Sequence, residues 1–194
     1  MCFMRPKWLL FTLSTALLIS LPKEASSQHC IEAQWNIALK EQARIENWYN
    51  IQASRFNHLY SQYKQQVLLH KEFSLDELVS LWRPDATDFH LKLTQQIELS
   101  SLHGSMLEKE IKALQVGLPD VEKIRTKWNQ FSEHCQSMSL NINALSSMHY
   151  VNSNRVLMNE IELLKAKLTE LQRLYMKEAE TLSKAQLIAD GKLN

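Results

Sequence analysis

Apolar residues recur along most of this chain at alternating intervals of three and four, the spacing that lines one face of an α-helix. The clearest run is the last one. Leu157, Ile161, Leu164, Leu168, Leu171, Tyr175, Leu182, Ala185 and Ala189 keep heptad register, with Glu178 as the one polar residue among them. Such a run is a coiled-coil seam, and Glu162, Lys165, Lys167, Glu170, Arg173, Lys177, Glu180 and Lys184 fill the outer positions with both signs of charge. The seam predicts a long C-terminal helix whose partner is the helix starting at Ile31 of the same chain, in an antiparallel hairpin, or a second molecule. Self-association through this seam stays open.

The first long helix is expected from Ile31 to about Lys71, with Ile31, Trp35, Ala38, Ile45, Tyr49, Phe56, Leu59 and Tyr63 on one stripe and Gln42 and Gln52 interrupting it. Trp48 and Tyr60 fall off that stripe, so they either widen the buried face or mark a partner surface. Ser74 and Glu77 then form a capping box that opens a short helix near residues 75–83, with Leu75, Leu78, Val79 and Trp82 as its apolar side and Pro84 as its stop. A following helix, capped by Asp85 or Thr87, runs through Phe89, Leu93, Ile97, Leu107, Ile111 and Leu114. Gly117 and Pro119 are expected to end it, and Gly104 weakens its middle. Asp120 caps the next, which carries Val121, Ile124, Trp128, Phe131 and Cys135 on one face. Ser146, Ser147, Asn152, Ser153 and Asn154 are poor helix formers, and they predict a turn near residues 146–154. The fold class is therefore all-α, an elongated long-helix bundle or coiled-coil hairpin, as so few glycines and prolines imply.

Ahead of these helices the pattern changes. Arg5 and Lys7 precede an apolar run from Trp8 to Leu21, and Ala25, Ser26 and Ser27 follow. This is the build of a secretory signal peptide, residues 1–27, with 28–194 as one exported helical domain. The apolar run has about 14 residues where a spanning helix needs ~20, so no stable membrane span is expected once the signal is removed. The expected location is periplasmic or secreted.

Removing that segment leaves 19 basic and 20 acidic residues. Neither a basic face nor an excess of Lys and Arg remains, so nucleic acid is not an expected partner. The exported part keeps an even pair of cysteines, Cys30 and Cys135, which in an oxidising compartment predicts a single disulfide. Each follows a histidine, but neighbours on a helix point about 100° apart and zinc ligands are usually separated by two to four residues. Metal ligands are accordingly not assigned.

No catalytic or cofactor-binding constellation emerges. Three isolated glycines cannot form a phosphate loop, there is no His-Glu-x-x-His, and the seven histidines stand singly. No cofactor and no enzymatic activity are expected. Leu168-Thr169-Glu170-Leu171-Gln172 resembles the Leu-Thr-x-x-Gln motif of small periplasmic helical chaperones that respond to envelope stress; Leu93-Thr94-Gln95-Gln96-Ile97 departs from it at its last position. At the level of fold alone, the exported, glycine-poor, long-helix build resembles the minor-pilus subunits of type IV secretion systems. The expected function is action through protein–protein contacts, as an accessory or assembly component of a cell-envelope, secretion or pilus system. The alternative is a holdase-type chaperone offering Trp35, Trp48, Tyr49 and Tyr60 to unfolded clients.

Overall fold

The structure is a computed structural model and describes residues 30–193; the expected signal segment lies outside the described residues. Among them there are five helices and no strand: α1 (Glu32–Gln65), α2 (Leu69–Glu72), α3 (Leu75–Ser80), α4 (Thr87–Ser137) and α5 (Asn141–Ala189). The fold is all-α. Helices α4 and α5, of 51 and 49 residues, form an antiparallel hairpin about 75 Å long. Helix α1 lies antiparallel to α4 along the half nearest the hairpin turn, where Arg44 meets Asp120 and Arg55 meets Glu110. Toward the open end α3 takes its place.

This division gives two apolar clusters. The larger draws Ala38 and Ile45 from α1, Leu107, Leu114, Ile124 and Trp128 from α4, and Ile161, Leu168 and Tyr175 from α5. The smaller joins Leu78 and Trp82 to Leu93, Leu182 and Ala185. Ile161, Leu164, Leu168, Leu171, Tyr175 and Leu182 are buried and Leu157 is half-buried, so the heptad seam faces inward within one chain. Its main partner is α4 rather than the Ile31 helix, because the hairpin turn makes α4 its immediate antiparallel neighbour.

The turn itself is a Schellman motif. Leu140 N–H donates to the Cys135 carbonyl at 2.8 Å and Ser139 N–H to Gln136 at 3.0 Å, with Ser139 at φ 61°. A left-handed serine is disfavoured by its Cβ. Ser139→Gly is therefore expected to stabilise the hairpin by about 0.5 to 1 kcal/mol after the extra unfolded-state freedom of glycine is deducted. Urea unfolding checks this, and a lower midpoint would contradict it.

Five expectations about turns, caps and helix ends are corrected. The chain turns at residues 138–140 and not at 146–154; Ser147 and Asn154 are fully buried inside continuous α5. Packing and hydrogen bonding there outweigh weak helix propensity. Gly117 and Pro119 do not stop α4. Pro119 and Gln115 lie on its exposed side, where water can meet the carbonyl that proline leaves unpaired. Asp120 consequently pairs with Arg44 at 3.1 Å instead of capping a new helix. Helix α4 begins after Ala86 without a side-chain cap, so neither Asp85 nor Thr87 serves as one.

The last correction concerns α1, which ends at Gln65 rather than near Lys71. Gln66 is extended, at φ −101° and ψ 135°, and a new turn starts at Leu69. The reason lies on α5, in the side chain of Glu178. The capping box of α3 forms as expected: Glu77 N–H donates to Ser74 Oγ at 3.3 Å and Ser74 N–H to Glu77 Oε2 at 2.7 Å. The Ser74 backbone and hydroxyl bonds hold the Glu77 carboxyl below its ordinary range.

Candidate functional site

Three arrangements stand out. The first is a polar layer that crosses the three long helices. Gln42 on α1 accepts from Trp128 Nε1 on α4 at 3.0 Å and from Asn154 Nδ2 on α5 at 2.8 Å. Its own amide nitrogen reaches Asn154 Oδ1 at 3.3 Å and Glu46 Oε1 at 2.8 Å. Asn154 also donates to the Tyr150 carbonyl, and the Tyr150 ring stacks on Trp128 at 4.4 Å. Buried amides are costly unless paired, and sliding any of the three helices by one turn would leave these unpaired. The layer fixes the register of the bundle.

The second is the anchor at Glu178, whose side chain is wholly buried. Its carboxylate accepts from Leu69 N at 2.8 Å, His70 N at 2.9 Å and Gln96 Nε2 at 3.0 Å, and lies 2.6 Å from His70 Nδ1. Two of these donors are amides that the first turn of α2 cannot satisfy internally. A carboxylate at that place supplies them, which is why α1 stops and α2 restarts here. Gln96 also donates to the Val67 carbonyl at 3.1 Å, so the connecting segment is held from α4 as well as from α5. The heptad position that looks like a fault in the seam is the point where the α1–α3 connection is secured.

The third is a surface groove between α1 and α5, with a volume of about 610 Å³. One wall is an aromatic ladder: Phe56 stacks on Tyr60 at 5.7 Å, and Tyr60 on Tyr63 at 6.1 Å. Leu163, Leu171 and Leu174 form the other wall. Lys64 lies 5.1 Å from the Tyr60 ring centre, and Lys71 donates to the Tyr63 hydroxyl at 2.9 Å. Beneath the groove, Tyr175 packs edge-on to Tyr63 and face-on to His103. Burial, reinforced by Tyr63, raises the Tyr175 phenol above its ordinary range, so it is neutral at physiological pH.

The two off-stripe aromatics separate. Trp48 is half-buried against the core, lying over Gly117, where an added Cβ would overlap the indole. Tyr60 is 43% exposed and lines the groove. Trp35 sits between Trp128 and Phe131, at 5.2 and 6.0 Å, and Tyr49 also packs against the core. Phe56 and Tyr63, on the apolar stripe, are half-buried against the core and also line the groove on either side of Tyr60. Their i, i+4 and i+7 spacing in α1 was a visible signal for a shared face.

Cys30 and Cys135 lie at disulfide distance, with Cα atoms 5.9 Å apart and a sequence separation of 105. They connect the start of α1 to the last turn of α4. Among the described residues no three His, Cys, Asp or Glu side chains gather closely enough to hold a metal ion, and no helix is long and apolar enough to cross a membrane. The side chain of His70, whose Nδ1 lies 2.6 Å from Glu178 Oε2, is 3% exposed, so that pair is closed off from solvent.

Comparison of this chain with protein-family models, with curated proteins and with solved structures gives no match.

Proposed function

We propose that the protein is an exported helical element that acts through protein–protein contacts, as an accessory or assembly component of a cell-envelope, secretion or pilus system, and not as an enzyme. The observation that carries this reading is the contrast between a tied, register-locked bundle and an open aromatic groove on its side. Binding and positioning need a rigid scaffold with a shaped apolar surface. The chemistry of export is supported by the N-terminal pattern of basic, apolar and small residues, and by a cysteine pair at bonding distance, which persists as a disulfide in oxidising compartments.

A bridge between those cysteines closes a long loop and is expected to contribute about 2 to 4 kcal/mol. Cys135→Ser should lower stability by that amount under oxidising conditions and change nothing when the parent is already reduced. Mass analysis of the alkylated, unreduced protein supplies the direct check, and two alkylated cysteines would contradict the bridge.

The holdase alternative needs a broad, adaptable apolar face. Of its four candidate aromatics, Trp35, Trp48 and Tyr49 pack against the core and Tyr60 alone is exposed. That distribution favours a dedicated contact over a promiscuous one. An aggregation assay separates the two. The assembly reading expects no effect at equimolar protein on several unrelated heat-denatured clients, whereas suppression of all of them would replace it with the chaperone.

A further inference from the structure

We propose that the groove between α1 and α5 is the partner-binding site, and that its occupant is an apolar segment of a partner protein carrying acidic side chains. This rests on the protein-contact reading above and adds the place and the chemistry of the contact.

The groove is apolar at its floor and cationic at its edge. Phe56, Tyr60 and Tyr63 give one wall, and Leu163 is 55% exposed on the other. Between and beyond them stand Lys64, Lys71 and Lys167. None of the three forms an ion pair with a carboxylate among the described residues. The nearest acid, Glu170, is committed to Arg173 through two bonds of 2.8 and 2.6 Å, while Lys71 acts on it through space. Glu160 lies beyond the groove, where it acts on Tyr49. The surplus at the groove is therefore positive, in a protein whose overall charge is close to balanced.

Charge of one sign around an apolar slot selects the opposite sign in its occupant, through steering and through the penalty on like charge. From Leu163 to Leu174 the slot extends about 16 Å along α5, room for three turns of helix or about five extended residues. It is open along its length, so a polypeptide fits it better than an enclosed small molecule. Tyrosine and lysine together suit a segment with a large apolar anchor flanked by Asp or Glu, because the rings bury the anchor and the ammonium groups meet the carboxylates.

The test places a photo-crosslinking residue at Leu163 and, as a control on an exposed face of α5 outside the groove, at Leu145, in the full chain expressed in its native cell. Crosslinked peptides are sequenced, and the mapped segment is synthesised and titrated against the purified protein. The proposal expects adducts at Leu163 to one acidic, apolar-anchored segment, with affinity weakened at least tenfold by Lys64→Glu and by Lys167→Glu, retained by Lys167→Arg, and reduced by added salt. Circular dichroism of each variant confirms folding. A basic or neutral segment, a lipid, a second copy of this chain, or no adduct at Leu163 would overturn the proposal. Adducts to a protein at Leu145 alone would do so while leaving the protein-contact reading standing; absence of adducts at both positions would remove both.

Discussion

Glu178→Ala is expected to destabilise the protein by about 3 to 5 kcal/mol, the scale for removing one partner from a buried, hydrogen-bonded charge cluster. The loss does not come from the seam, since alanine is tolerated in a helix and would interrupt the heptads no more than glutamate does. It comes from the groups left behind. Leu69 N–H, His70 N–H and the Gln96 amide all donate to this carboxylate, and each would lose its acceptor at a partly buried site. Glu178→Gln keeps shape and one acceptor oxygen, so it should cost less than alanine while still weakening the contact with His70. Urea unfolding gives the free energies. Hydrogen exchange at Leu69 and His70 should accelerate in the alanine variant beyond any change at Leu107 or Leu168. A loss below about 1 kcal/mol would mean that water replaces the carboxylate without penalty.

Trp128→Ala should cost a similar amount, about 3 to 5 kcal/mol, for a different reason. The side chain is fully buried at the crossing of the three long helices, against Trp35, Phe131 and Tyr150. Truncation leaves a large cavity and also deprives Gln42 of the indole donor. Trp128→Phe separates the two contributions, since it keeps most of the aromatic packing and loses the N–H. Its cost should fall between the parent and alanine. Equal losses for phenylalanine and alanine would assign the whole effect to the hydrogen bond, contrary to the packing seen around the ring.

These two residues also show how far the sequence could be read. Trp128 stands in a regular apolar pattern, and the pattern places it in the core. The same holds for the heptad seam, for the capping box at Ser74 and for an all-α fold. Polar residues at core positions are another matter. Gln42 looks like an interruption, Asn154 like part of a turn and Glu178 like a flaw, because periodicity scores a buried amide or carboxylate as a break. Their partners are far away: Asn154 is 112 residues from Gln42, and Glu178 is 109 from Leu69. No local rule reaches across such separations. Pro119 misleads in the opposite direction, since its effect depends on which side of the helix it occupies, and the solvent side is the one where a missing amide matters least.

The groove was half legible. Tyr60 stands off the main stripe and signals exposure, but Phe56 and Tyr63 sit on it and read as core. They pack against the core but stay only half-buried, because α5 carries Leu163, Ala166 and Lys167 opposite them rather than a third apolar ridge that would close the space. That depends on the mutual register of α1 and α5, which the Gln42, Trp128 and Asn154 layer sets. A polar contact deep in the bundle thus determines which aromatic residues remain available to a partner.

The most direct test of the proposed contact function is affinity capture of the protein from its native cells, with mild crosslinking and quantitative mass spectrometry. The account predicts recovery of one or a few envelope or secretion components at stoichiometric levels. Recovery of a broad, substoichiometric set of unrelated unfolded proteins would contradict it.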